Sequence, residues 1–187
     1  MIQIEPLSTN NFDAYSLDYF DRRQQVQKQY RWLDNRYRAI ELPVFIDWGI
    51  DKRRSIARDM LGTDRVSFLA FDDGKIVGFI SLLTELEGKR MILDALQVAY
   101  GYRGKGIGKL LWEEGRKAAK EYGAEEIYIS VFSAEDTVEF YRSCGAVETD
   151  SPIEKIANAT AHDIQMVCRV TQEEENADDF PITMVIE

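Results

Sequence analysis

A mixed α/β fold, with a largely antiparallel central sheet flanked by helices, follows from three stretches of this 187-residue chain. "VSFLAF" and "KIVGFISLL" are apolar runs of strand length around "DDG", and Asp73-Gly74 supplies the positive-φ pair of a tight two-residue hairpin. Farther on, the apolar strand "RMILDALQVAY" leads to a helical stripe through Leu110, Leu111, Gly115, Ala118, Ala119 and Tyr122, ended by Gly123. The strand "EEIYISVF" follows, and this alternation after an antiparallel hairpin predicts a sheet of mixed direction. The length suits one domain over 1–170, with an acidic tail at 171–187.

The remaining elements are read in chain order. "IQIEPL" alternates as a first strand stopped at Pro6, and Ser8 or Thr9 then caps a helix carrying Phe12, Tyr15, Tyr19 and Phe20. A second helix is expected before Pro43. On it, Arg22, Arg23, Lys28, Arg31, Arg36 and Arg38 read either as a solvated helical face or as an anion or nucleic-acid surface. Nine of the 21 aromatic residues lie within the first 50 positions, as core packing or as a pocket wall that selects substrate. "DKRRSIARDMLG" reads as a helix capped by Asp51 and followed by Gly62. "AEDTVEFYRSCG" is a short helix stopped at Gly145, and "HDIQMVCRV" a last core strand. In the tail, five carboxylates between Glu173 and Asp179 form a solvated loop before the apolar "ITMVI". That segment is an edge strand or a strand lent to a partner subunit, which leaves a homodimer open.

Charge narrows the partners. With 33 acidic against 23 basic residues and a net charge of -10, the chain lacks the positive footprint that nucleic acid requires, and its field suits a cationic small substrate. No apolar stretch approaches the roughly 18 residues of a membrane span. The start "MIQIEPLSTNNF" has no basic segment followed by an apolar one, so a mature terminus and a cytoplasmic location are expected. Two cysteines, Cys144 and Cys168, and one histidine, His162, offer no zinc cluster and no disulfide framework, so no metal is expected.

"YRGKGIGKLL" carries the chemistry. Gly104, Gly106 and Gly108 lie where a helix begins, and glycine permits positive φ and close approach of backbone amides, which at a helix start carry the positive end of the dipole. The result is an anion cradle. A dinucleotide fingerprint would need glycine at Lys109 or Leu111, and a P-loop fails because Gly101 and Gly106 lead to Ile107 rather than lysine. What remains is Arg103-x-x-Gly106-x-Gly108 between an apolar strand and an amphipathic helix. This resembles the acetyl-coenzyme A loop of the GNAT superfamily of acyl-CoA N-acyltransferases. Val98, Tyr100, Tyr102, Arg103 and Gly104 follow the family's lead-in, with Tyr100 where proline is common. "SAEDTVEFYRSCGAVE" is similar to a later family segment in Phe140, Tyr141 and Gly145, with Ala134 or Asp136 where asparagine is common. The resemblance covers about Val66 to Val170.

The resemblance implies the GNAT fold, acetyl-CoA as co-substrate, and direct attack of an amine on the thioester without a covalent enzyme intermediate. Leu96, Val98, Arg103, Gly104, Lys105, Gly106, Ile107, Gly108 and Lys109 are the implied cofactor-binding positions, with Lys105 and Lys109 either touching the 3′-phosphate or facing water. An alkyl ammonium with a pKa of about 10.4 must lose a proton before it attacks. Asp94, the one acid inside its apolar strand, shares side-chain parity with Ile92, Leu96 and Val98; it reads as the base, as an anchor for the amine, or as a structural hydrogen-bond partner. Tyr141 matches the family's acid, which protonates the departing thiolate, although its helix also needs apolar residues at that spacing. Glu85 and Glu87 are placed to attract a cationic acceptor. The acceptor is then a primary amine of a small molecule or peptide; the alternative is a non-catalytic acetyl-CoA sensor or protein-interaction module of the same fold.

Overall fold

The computed structural model describes residues 1–160 and 162–171. The predicted tail beyond Thr171, with its edge strand, lies outside the described residues. A seven-stranded sheet has the order β1-β4-β5-β6-β7-β9-β8. Its strands are β1 (Gln3–Pro6), β4 (Arg65–Asp72), β5 (Lys75–Leu83), β6 (Arg90–Val98), β7 (Glu126–Val131), β8 (Val147–Glu148) and β9 (Ile164–Arg169). Only β6 and β7 run parallel, joined by α2 (Ile107–Glu121); every other pairing in this sheet is antiparallel, as the sequence predicts. The β4–β5 hairpin turns at Asp73 (φ 49°) and Gly74 (φ 72°), the expected positive-φ pair.

Alternate residues of β5 feed two cores, one on each face of the sheet. Ile80 and Leu82 pack with Leu111, Trp112, Ile127 and Tyr141, under α2 and α3 (Glu135–Ser143). Phe79 packs with Leu69, Phe12, Leu17 and Phe20, beside Ala57 and Met60 of α1 (Ile50–Met60). Helix α2 lies close on β5 because glycine occupies both sides of the contact. A β-carbon at Gly115 would fall 2.5 Å from Ile80 Cδ1, and one at Gly78 would fall 2.9 Å from Leu111 Cδ1. The buried stripe of α2 differs from expectation at two positions: Leu110 and Tyr122 are exposed, and Ile107 and Trp112 are buried.

The first 50 residues depart furthest from the sequence reading. No helix follows Ser8; residues 9–19 form successive turns that bury Phe12, Leu17 and Phe20 and leave Tyr15 and Tyr19 exposed. Short polar side chains capture the backbone there: Asn11 Oδ1 accepts from Ser8 N at 2.9 Å, Ser16 Oγ from Asp13 N at 2.8 Å and Asp13 Oδ1 from Tyr15 N at 2.8 Å. Such local bonds compete with a helix ladder. The second predicted helix is instead a separate hairpin, β2 (Gln24–Leu33) and β3 (Arg36–Ile46), turned by Asp34 (φ 50°) and Asn35 (φ 59°). Asp and Asn are the non-glycine residues that best tolerate this left-handed pair. Pro43 sits at the irregularity where the ladder jumps from Val26–Val44 to Lys28–Glu41, so its missing N–H breaks no regular pair. The basic residues therefore lie on a hairpin and its lead-in rather than on one helical face. Helix α1 is preceded by Gly49 as its cap, and Asp51 falls in its first turn. Two elements were not foreseen, β8 and α4 (Glu154–Ala159). No helix among the described residues is long and apolar enough to cross a membrane.

Overfilling a close-packed contact between a helix and a sheet costs about 1–3 kcal/mol. Gly115→Val should lower the melting midpoint by several degrees, whereas Gly101→Ala, where an added β-carbon meets nothing within 4 Å, should leave it unchanged. Thermal unfolding of the two variants followed by circular dichroism checks this.

Candidate active site

The site begins where two parallel strands part. β6 and β7 pair at Arg90–Glu126, Met91–Ile127 and Ile92–Tyr128 and no further, although β6 runs on to Val98 and β7 to Val131. From Leu93 onward the edge of β6 that faces β7 has no strand beside it. The opening leads into a cavity of about 620 Å³, walled by Leu93 to Val98 on β6, Ile129 to Val131 on β7, the loop into α2, and Thr137, Phe140 and Tyr141 on α3. Leu96, Val98, Arg103, Gly104, Gly106, Ile107, Gly108, Lys109, Asp94 and Tyr141 all line it. Lys105 does not: its Nζ donates to Gly101 O at 3.0 Å and sits over the Tyr102 ring.

The loop presents main-chain donors. Among the described residues no main-chain acceptor takes the amides of residues 104 to 109; the first internal bond of the following turn runs from Leu110 N to Gly106 O, 3.1 Å. These N–H groups lie at the positive end of the α2 dipole, and five of the six residues that carry them line the cavity, where a polyanion would be received. The three glycines do two different jobs. Gly104 (φ 72°) and Gly106 (φ 82°) hold left-handed backbone, and a β-carbon on either would project into open space. Gly108 is needed for packing, since a β-carbon there would lie 3.0 Å from the Phe140 ring.

Arg103 braces this loop. Its Nε donates to Val98 O at 3.0 Å and its Nη2 to Arg22 O at 3.4 Å, and burial pulls its pKa down. Tyr100, where the family pattern has proline, uses the amide that proline lacks: Tyr100 N donates to Asp21 O at 2.9 Å. These two bonds tie the segment 21–24 to the β6 side of the cavity. On the other side Gln24 Nε2 donates to Thr137 Oγ1 at 3.2 Å and lies 3.4 Å from Asp136 Oδ2. The segment thus bridges both walls. It carries Arg22, 8% exposed, whose guanidinium lies 5.1 Å over the Trp48 ring and donates to Gln24 Oε1 at 3.1 Å. Burial, and then the Arg103 charge, lower the Arg22 pKa to about 10. The first 50 residues therefore contribute Arg22 and Gln24 to the cavity, and none of their aromatic residues. The aromatic wall comes from Tyr102, Phe132, Phe140 and Tyr141.

Tyr141 is 6% exposed, edge-on to Trp112 at 5.7 Å and to Phe140 at 5.1 Å. Burial raises its pKa well above that of a free phenol, so it holds its proton at neutral pH. The expected parity of Asp94 is altered by a bulge: Ser81 pairs with Ala95 and Leu82 with Leu93, leaving Asp94 between them. Leu93, Leu96 and Val98 consequently share one core and Ala95 joins the other. Asp94 is exposed, with Oδ2 accepting from Arg65 Nε at 3.2 Å. Glu85 and Glu87 line no part of this cavity; Glu87 pairs with Lys155 on the far surface. Two further acids do line it, Asp136 at the start of α3 and Asp163 just before β9. The first was read only as a position in the loop-distal segment, and the second was missed, because nothing in "HDIQMV" distinguishes it before β9 is laid beside β7. Cys144 and Cys168 are buried outside the cavity, with burial raising both thiols.

The family model of the acetyltransferase (GNAT) family matches residues 17–146. Streptothricin acetyltransferase of Streptomyces lavendulae is 31% identical over 74 residues, which are 39% of this chain and 39% of that protein. Nourseothricin acetyltransferase superposes with a TM-score of 0.71 at 19% identity, covering 91% of this chain and 99% of the other. A Bacillus anthracis protein described as a candidate streptothricin acetyltransferase, solved with acetyl coenzyme A, gives 0.70 at 18% identity, with 90% and 98% covered. The ribosomal-protein-S18-alanine N-acetyltransferase of Escherichia coli gives 0.59 at 18% identity, with 94% and 98% covered. With more than half its length matched by the family model, and with the parted strands and glycine-bearing loop described above, the chain belongs to the GNAT family of acetyltransferases.

Proposed function

We propose that this protein transfers the acetyl group of acetyl-CoA to a primary amine of a small molecule or peptide by direct attack on the thioester. The observation that carries the reading is that one cavity takes in the unpaired β6 edge, Tyr141 and the loop from Gly104 to Lys109, whose amides have no main-chain acceptor among the described residues. The amides and the helix start would take the pyrophosphate, and Lys109, at the cavity rim, a further phosphate. The edge of β6 would bond the amide-bearing pantetheine arm as a strand would, and the thioester would then lie near Tyr141. Streptothricin heads the acceptor candidates, since two of the similar proteins are named for it. Two free thiols and the acidic net charge suit a cytoplasmic enzyme.

The roles divide as follows. The acceptor nitrogen attacks the carbonyl carbon, the C–S bond breaks, and the thiolate takes the Tyr141 proton; the phenolate then recovers a proton from the product nitrogen. Holding amine and thioester together is worth up to about 7 to 11 kcal/mol in well-aligned systems. Asp94 has one oxygen held by Arg65 and the other without a protein donor among the described residues, which favours its role as an anchor for the acceptor ammonium.

Incubation with acetyl-CoA and a panel of streptothricin, spermidine, an aminoglycoside and a short peptide should release free thiol with at least one amine. Binding of acetyl-CoA with no thiol release from any of them would count for the sensor reading instead. Tyr141→Phe should lower kcat about 100-fold or more with little change in acetyl-CoA affinity, measured by stopped-flow thiol detection and calorimetry. Asp94→Asn should raise the acceptor KM about tenfold and leave the acetyl-CoA KM alone, which steady-state kinetics with both substrates varied would resolve.

A further inference from the structure

We propose that Asp163 is a second functional carboxylate of this site: it receives the proton of the acceptor ammonium, and Ser130, Gln165 and Tyr128 hold it in position. The proposal rests on the N-acetyltransferase reading above.

Asp163 immediately precedes β9, whose first residue, Ile164, pairs with Val131 at the end of β7. It therefore lies on the wall opposite Asp94 and lines the same cavity. Ser130 Oγ donates to Asp163 Oδ2 at 3.2 Å, and no donor among the described residues reaches Oδ1. Behind this contact stands an oriented chain. Ile153 N donates to Tyr128 Oη at 3.0 Å, Tyr128 Oη donates to Gln165 Oε1 at 2.6 Å, and Gln165 Nε2 donates to Ser130 Oγ at 3.0 Å. Each donor is used in one direction, so the Ser130 hydroxyl proton is left for the carboxylate or for Thr160 Oγ1, 2.9 Å away. Thr160 in turn donates to Ile156 O at 2.9 Å, so its oxygen can only accept from Ser130, and the one Ser130 proton is shared between Thr160 Oγ1 and the Asp163 carboxylate, which both keep it on this side of the cavity. A fixed carboxylate of this kind is what proton abstraction at a defined point requires.

The charged and titratable groups around Asp163 are His162 beside it, Tyr128 on β7 and, across the cavity, Asp94 on β6 with Asp136 and Tyr141 on α3. Burial raises its pKa, opposed by the Ser130 bond and the His162 charge, so it is a stronger base than a free aspartate. In the reaction the ammonium N–H bond breaks to Asp163, the freed lone pair attacks the thioester carbon, and Asp163 passes the proton to solvent before the next turnover.

The test uses the full chain, acetyl-CoA and whichever panel amine the wild type acetylates fastest. In wild type, kcat/KM should fall as pH drops and Asp163 becomes protonated, at a pH above the ordinary aspartate range. Asp163→Asn should lower kcat about 100-fold or more and remove that limb. Ser130→Ala removes a bond that favours the charged form, so it should move the limb to higher pH. Calorimetry should show unchanged acetyl-CoA binding in both variants, which separates a catalytic loss from misfolding. An Asp163→Asn enzyme that keeps the wild-type limb, or that loses only acceptor KM, overturns the proposal. A wild type that releases thiol with no amine overturns the underlying reading instead, and with it this one.

Discussion

The structure depends on the parting of β6 from β7 beyond the Ile92–Tyr128 pair. A parallel pair that stops short leaves main-chain donors and acceptors with no strand to satisfy them, and buried backbone groups do not tolerate that state without a partner. The rest of the molecule keeps the gap open. Antiparallel partners hold each strand from its outer side, β5 on β6 and β9 on β7, so neither can slide across to close it. The bulge at Asp94 turns β6 as the gap begins, and α2 fills the face beneath with Ile107, Leu111 and Trp112.

The glycines at the start of α2 belong to the same device. Two allow a left-handed turn that leaves the amides of residues 104 to 109 without a main-chain acceptor among the described residues, and the third lets the Phe140 ring of α3 come close to the helix. The loop is thus fixed to the α3 wall by packing and to the β6 wall by Arg103. Segment 21–24 then spans the two walls, and the Tyr100 amide, available because the residue is not proline, is one of its fastenings.

Acidic residues on both walls fit an acceptor that arrives as a cation. Asp94 and Asp163 approach from opposite sides of the gap, while the buried Arg22 and the half-buried Arg103 lie toward the loop. Basic charge thus gathers near the anion cradle, where Asp136 offsets part of it, and Asp94 and Asp163 stand beside the parted strands.

Local chemistry was enough to specify much of this from the chain alone. Asp73-Gly74 dictated its hairpin, the α2 stripe followed from helical spacing, and the loop from Arg103 to Gly108 was legible because positive φ and close approach demand glycine at fixed positions, while Tyr141 was read only through the family resemblance of its segment. The first 50 residues were misread where the deciding signals were weaker: Asp34-Asn35 as a turn pair, and Asn11, Asp13 and Ser16 as competitors for the backbone. Only the tertiary structure could bring together Arg22 with Arg103, or Asp163 with Ser130, since each pair is joined by strand order and a hydrogen bond across many residues. Short-range conformational preference is written in neighbouring residues; which distant side chains share a cavity is decided by how the sheet is ordered and where it fails to close.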